Sequence, residues 1–157
     1  MTDAQEGTPG SLGVAELAHA GVRGAVAAMA MTGMRAFTQD MGFVEQTPPK
    51  ALFKERAAGL RRRVPRTKRR AVVELAHWGY GGVGGVGFGV LPDDLRRQPW
   101  AGPAYGLALW AGFELGIAPA LGLTQAGKLR LVERVALAAD HVLYGFVLSE
   151  TRRRPRE

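Results

Sequence analysis

The sequence predicts an all-α protein: an integral membrane bundle of four transmembrane helices with a basic amphipathic interfacial segment. Three observations predict it. From Gly102 to Gly122 a single charge, Glu114, interrupts a run of the length a bilayer-spanning helix needs, about 20 residues. Three more blocks, 13–38, 71–91 and 131–149, are rich in Ala, Val, Leu and Gly. Basic charge lies mostly outside them: residues 50–70 hold ten of the 21 Lys and Arg and one acid, Glu55, so the window is +9 in a chain of net +7. The mean hydropathy of −0.05 averages these opposites away.

In chain order, residues 1–12 form a polar lead with Asp3 and Glu6 and no basic residue, unlike a cleaved secretory signal, which starts basic. Residues 13–150 are expected to be one membrane helical domain, located in the cell membrane as a multi-pass protein, and 151–157 a basic tail. The first helix, 13–38, carries Glu16, His19 and Arg23 in its first half, so an interfacial helix competes with a full crossing. Pro48-Pro49 opens the basic connection 48–70, where Phe53, Ala57, Leu60 and Val64 make one apolar stripe. Lys54, Arg61, Arg62, Arg63, Lys68, Arg69 and Arg70 are its candidate contacts to anionic lipid or a partner, each worth about 1 kcal/mol at an anionic surface. A solvated loop that only fixes topology explains the same charges.

In the second helix, 71–91, Gly81, Gly85 and Gly89 recur every four residues; in the third, Gly102 with Gly106 and Gly112 with Gly116 do the same. Such faces let helices approach closely, within one chain or between copies of a homo-oligomer. Gly79, Gly81 and Gly84 match G-x-G-x-x-G, but the acid that a dinucleotide site needs about 20 residues on is missing. Pro119 is expected to end or kink the third helix. If every block crosses, the basic segment and the arginine tail fall on opposite sides, which leaves the side of the C-terminus open.

Two Glu-x-x-His copies, Glu16/His19 and Glu74/His77, suggest a di-iron bundle with Glu114 and Asp140. Antiparallel spans would hold the copies at opposite faces, roughly 20–30 Å apart at 1.5 Å per residue. Depth matching favours another set. His77 falls about 9 Å from one face, Glu114 about 12 Å, Tyr80 about 13 Å, and Asp140 with His141 about 13–15 Å. His77-x-x-Tyr80-Gly81 and His141-x-x-Tyr144-Gly145 repeat one pattern, so His77, Tyr80, Glu114, Asp140, His141 and Tyr144 form the candidate polar layer.

That layer supports three readings: a hydrogen-bonded network that only holds the bundle together, a path for a proton or small solute, or a metal site of His77, Glu114, Asp140 and His141. No cofactor is required, no catalytic residue stands out, and an enzyme is the less favoured class. The chain has no cysteine, which removes disulfides and thiolate chemistry. Nucleic acid is an unfavoured partner, because Phe53 alone among the basic residues offers a stacking ring.

The alanine- and glycine-rich stretch Gly24–Met34, the Thr47-Pro48-Pro49 segment and the ending His141-Val142-Leu143-Tyr144-Gly145 resemble small uncharacterised bacterial inner-membrane proteins of the YagU-like kind. The resemblance implies a multi-span membrane protein and carries no reaction or ligand.

Overall fold

A computed structural model describes residues 13–42, 63–122 and 130–150. They are helical, in the order α1 (Val14–Asp40), a 3-10 turn (Arg66–Lys68), α2 (Arg69–Gly89), α3 (Asp93–Arg96), α4 (Ala101–Gly112), a wide π turn (Phe113–Ile117), α5 (Ala118–Ala120) and α6 (Leu131–Glu150). No strand occurs among the described residues.

Local chemistry sets the ends. The Glu16 carboxylate accepts the Gly13 N–H at 3.1 Å, and the Glu133 carboxylate accepts the Arg130 N–H at 2.8 Å. Each satisfies a backbone donor that the first helical turn leaves without an acceptor. Gly42 (φ 73°) and Gly122 (φ 58°) take the left-handed conformation just after α1 and α5, where glycine carries no Cβ penalty. The π turn has a cause in Pro119, which removes the N–H that would bond the Leu115 carbonyl and crowds that carbonyl, so the preceding turn widens.

The expected multi-pass membrane protein is corrected here: no described helix is long and apolar enough to cross a membrane. Residues 102–122 do not form one uninterrupted α-helix, because the regular α4 segment stops at Gly112. α1 carries Glu16, Arg23, Arg35 and Asp40, and α6 carries Glu133, Arg134, Asp140 and Glu150. α2 begins with two arginines and spends seven of its 21 positions on glycine, which adds little apolar surface.

α1 packs on α2, α4 packs on α6, and α1 also packs on α6. Small residues make the first two contacts close. A Cβ added to Gly85 would lie 2.7 Å from the Gly24 Cα, and one added to Gly102 would lie 2.5 Å from the Ser149 hydroxyl. The glycine faces at 24, 81 and 85 and at 102, 106 and 145 are therefore filled by neighbours within the chain. Ala27, Ala28, Met31, Phe88, Ala101, Tyr144 and Leu148 form the apolar core, with the Phe88 and Tyr105 rings tilted at 5.2 Å. Val22, Val26, Phe37, Leu75, Val83, Leu115, Val135 and Phe146 point outward, so the interior is small and partly polar while much of the exterior is branched or aromatic.

Candidate functional site

Four side chains on three helices meet inside the bundle. α1 runs Ala20, Gly24, Ala27, Ala28, Met31 and Arg35 down its buried face at three- and four-residue spacing, and this ladder carries Arg35 into the core at 4% exposure. Opposite it on α6, Asp140 is 1% exposed, with Oδ2 at 3.7 Å from the Arg35 Nε. α2 adds His77, whose Nε2 lies 3.2 Å from an Arg35 terminal nitrogen. An arginine only donates, so Nε2 is the lone-pair nitrogen and the ring proton sits on Nδ1. His141, next to Asp140, has the same tautomer: its Nδ1–H donates to the Leu137 carbonyl at 2.8 Å, which leaves Nε2 as an acceptor.

A second chain of polar contacts continues from this group. Trp78 Nε1–H donates to the Thr32 hydroxyl at 3.1 Å, and the one Thr32 proton faces both the Ala28 carbonyl at 3.1 Å and Glu74 Oε2 at 3.2 Å. Two phenols close the layer against α2. Tyr144 donates to the Gly81 carbonyl at 2.7 Å and Tyr105 to the Gly84 carbonyl at 2.8 Å, and glycine leaves room for both phenols, since a Cβ on Gly84 would lie 2.7 Å from the Tyr144 hydroxyl and one on Gly87 2.5 Å from that of Tyr105.

The electrostatics follow from burial. Desolvation lowers the Arg35 pKa, opposed by the nearby Asp140 and Glu74 charges. Desolvation lifts the Asp140 carboxyl to about 6 although Arg35 pulls it down. His77 is pushed down to about 3 by burial, Arg35 and His141, and His141 to about 4 by burial, with the Leu137 bond opposing. Burial also raises the Tyr144 phenol. At neutral pH both imidazoles are therefore uncharged. Among the described residues, neither the Asp140 oxygens nor the Arg35 Nε has a partner within normal hydrogen-bond geometry, the two groups standing 3.7 Å apart. A buried carboxylate in that condition is costly to keep.

Beside this group is a half-open cavity of about 20 Å³, lined by His77, Tyr80, His141, Tyr144, Leu109 and the α1 residues Ala28 and Met31. The structure thus brings together five of the six residues expected in the polar layer: His77, Tyr80, His141 and Tyr144 around the cavity, and Asp140 behind it. Glu114 is placed elsewhere, 3.9 Å from the Arg134 Nε. The metal set His77, Glu114, Asp140 and His141 is not assembled, and no three His, Asp or Glu among the described residues converge to hold an ion. Of the first Glu-x-x-His copy, Glu16 caps its own helix and His19 Nδ1 lies 2.7 Å from the Ala15 carbonyl, both on the exterior.

Arg35, Thr32 and Glu74 are the members that sequence reasoning left out of the layer. Of the candidate lipid contacts, Arg63, Lys68 and Arg70 are exposed, Arg69 Nε donates to the Val64 carbonyl at 3.2 Å, and Lys54, Arg61 and Arg62 lie outside the described residues. No protein family, curated protein or solved structure matches the chain.

Proposed function

We propose that this helical protein takes up and passes on protons at Asp140, without covalent chemistry. The carrying observation is the loose ion pair: Asp140 is buried, a guanidinium stands at 3.7 Å, and among the described residues no donor comes within normal hydrogen-bond geometry of either carboxylate oxygen. Lost hydration disfavours the anion and Arg35 favours it. Their opposition puts the carboxyl near 6, where small changes in pH change its charge.

The neighbours suit that role. His77 and His141 stay neutral at such pH and do not compete for the proton, while they line the cavity with groups that donate or accept. A cavity of about 20 Å³ has room for one water. This size favours a proton carried along a water over a larger solute. Protonation also removes the charge attraction between α1 and α6, so proton occupancy is tied to helix contact.

The test is the infrared carboxyl band and the proton uptake after a pH jump from 8 to 5, in wild type and in Asp140→Asn. The expected result is a protonated-acid band at pH 5 that the variant lacks, with uptake smaller by about one proton. Equal uptake and no lost band would refute the reading.

A further inference from the structure

The two ends of the bundle differ in surface chemistry, and helix contacts fix which residues share an end. Gly24 with Gly85 and Ala28 with Gly81 set α1 antiparallel to α2, so Met41 falls level with Lys68. Gly106 with His141 and Glu114 with Arg134 set α4 and its π turn antiparallel to α6, so Leu115 falls level with Val132. Arg35 with Asp140, and Ala28 and Tyr144 both at Gly81, join these halves. Met41 and Leu131 then lie beyond the Arg35–Asp140 pair on the same side, about 9 Å and 14 Å along their helices. One end therefore gathers the C-terminus of α1, the N-termini of α2 and α6, and the π turn. Its tips are apolar: Leu115 and Leu131 are each 78% exposed, Phe37 59% and Met41 53%. Beside them, among the described residues, stand seven basic side chains, five within 63–70 with Arg130 and Arg134, and three acids. Of the acids Asp40 alone is exposed, while Glu133 and Glu114 face Arg130 and Arg134. The opposite end has four acids, Glu16, Asp93, Asp94 and Glu150, against Arg23, Arg96 and Arg97.

Exposed apolar tips with basic groups beside them have the composition of an interfacial contact. The five cations at or just before the start of α2 stand where the helix dipole is itself positive, so they repel that end and one another until an anion offsets them. Anionic headgroups supply the charge, and the boundary with the acyl chains takes the tips. We infer that this end of the bundle docks on an anionic lipid surface, with Phe37, Met41, Leu115 and Leu131 entering the headgroup layer and the basic side chains meeting the headgroups. No helix crosses the bilayer in this contact, which is separate from the Asp140 cluster. The tips come from α1, the π turn and α6, a relief that a deformable lipid surface fits without a matching partner shape. Nucleic acid suits the charge but not the tips, because Phe37 is the one exposed aromatic ring at this end among the described residues.

The experiment is co-sedimentation of the full chain with phosphatidylcholine vesicles that contain or lack phosphatidylglycerol, alongside fluorescence anisotropy with a labelled DNA oligonucleotide. Arg66→Glu/Arg70→Glu tests the charge and Leu115→Ser/Leu131→Ser the tips, with Arg97→Glu and Val90→Ser as controls near the opposite end. All of these positions are exposed, so the variants should keep the helicity of wild type by circular dichroism. Wild type should bind the anionic vesicles at least tenfold more tightly than the neutral ones, and added salt should weaken that binding. The charge reversal should weaken it at least tenfold and the serine pair at least fivefold, while each control stays within threefold. Equal binding to both kinds of vesicle, binding to neither, or losses matched by the controls overturns the inference. DNA binding tighter than vesicle binding assigns the basic end to nucleic acid and overturns it equally.

Discussion

Gly85→Ala should unfold the protein more readily, although alanine is the better helix former. Without a neighbour, the change in a helix interior stabilises by about 0.5–1 kcal/mol, because glycine loses more backbone freedom on folding. At position 85 the new Cβ would lie 2.7 Å from the Gly24 Cα and 2.8 Å from the Gly24 amide nitrogen, and it would also press on the Ala20 carbonyl. All three obstacles are backbone and cannot swing aside. Ordinary carbon contacts are about 3.5–4 Å, so α1 and α2 must move apart by roughly 1 Å. Overpacking of this kind costs about 1–3 kcal/mol, and here it also strains the Arg35 to His77 contact that spans the same two helices. The net expectation is a loss of about 1–2 kcal/mol. Gly79→Ala is the matched control on the same helix, since nothing lies within 4 Å of its added Cβ, and it should gain about 0.5 kcal/mol. Urea denaturation followed by circular dichroism measures both. If Gly85→Ala proves as stable as Gly79→Ala, the close α1–α2 contact is wrong.

Three further outcomes are expected. Arg35→Leu strands a buried carboxylate and should cost about 3–5 kcal/mol at pH 8, much less at pH 5, with most of the loss recovered in Arg35→Leu/Asp140→Leu; equal losses at the two pH values would count against the pair. The raised Asp140 pKa gives stability that is full below 3.8 and lost as pH rises through about 6, whereas the lowered His77 and His141 values give stability that is full above 6.5 and lost as pH falls toward about 4 and 3. Between pH 4 and 6 the unfolded chain thus holds about one more proton on these groups, so they make stability rise with pH by about 1.4 kcal/mol per unit, and Asp140→Asn should double that slope in denaturation curves. Glu114→Gln should cost no more than about 1 kcal/mol by the same assay, because the contact to the 45% exposed Arg134 is long at 3.9 Å and the neutral amide suits a side chain only 9% exposed; a loss above about 2 kcal/mol would show that the Arg134 pair is worth more than its geometry suggests.

The helices were legible from composition, and five of the six layer residues from depth counting, because helical rise is constant and the His-x-x-Tyr-Gly fragments repeat. Glu114 failed for a physical reason. Depth counting assumed that each helix starts level with a membrane face, whereas the register of α4 on α6 is set by glycine contacts. Gly102 meets Gly145 and Gly106 meets His141, so Glu114, eight residues past Gly106 in the π turn that follows α4, arrives beside Arg134, about 9 Å along α6 from Asp140. Arg35 was missed because a lone arginine in an apolar run reads as a snorkelling side chain. Its signal was the run of small residues at 20, 24, 27 and 28, which extends through Met31 to position 35 and marks a packed face. The membrane-span expectation failed because it gave length more weight than the charges inside α1 and α6 and the break before Pro119, both of which the sequence displays.

The close packing of small residues has a further consequence: steric fit alone leaves the alignment of α1 on α2 ambiguous. Ala20, Gly24 and Ala28 face Gly81, Gly85 and Gly89, and sliding one helix by four residues would match small against small again. The polar contacts admit no such slide. Thr32 finds Trp78 and Glu74, and Arg35 finds His77 and Asp140, in one alignment only. A smooth rail set by glycine is thus indexed by a few buried charges and hydroxyls, which select which of several near-equivalent packings is the native one.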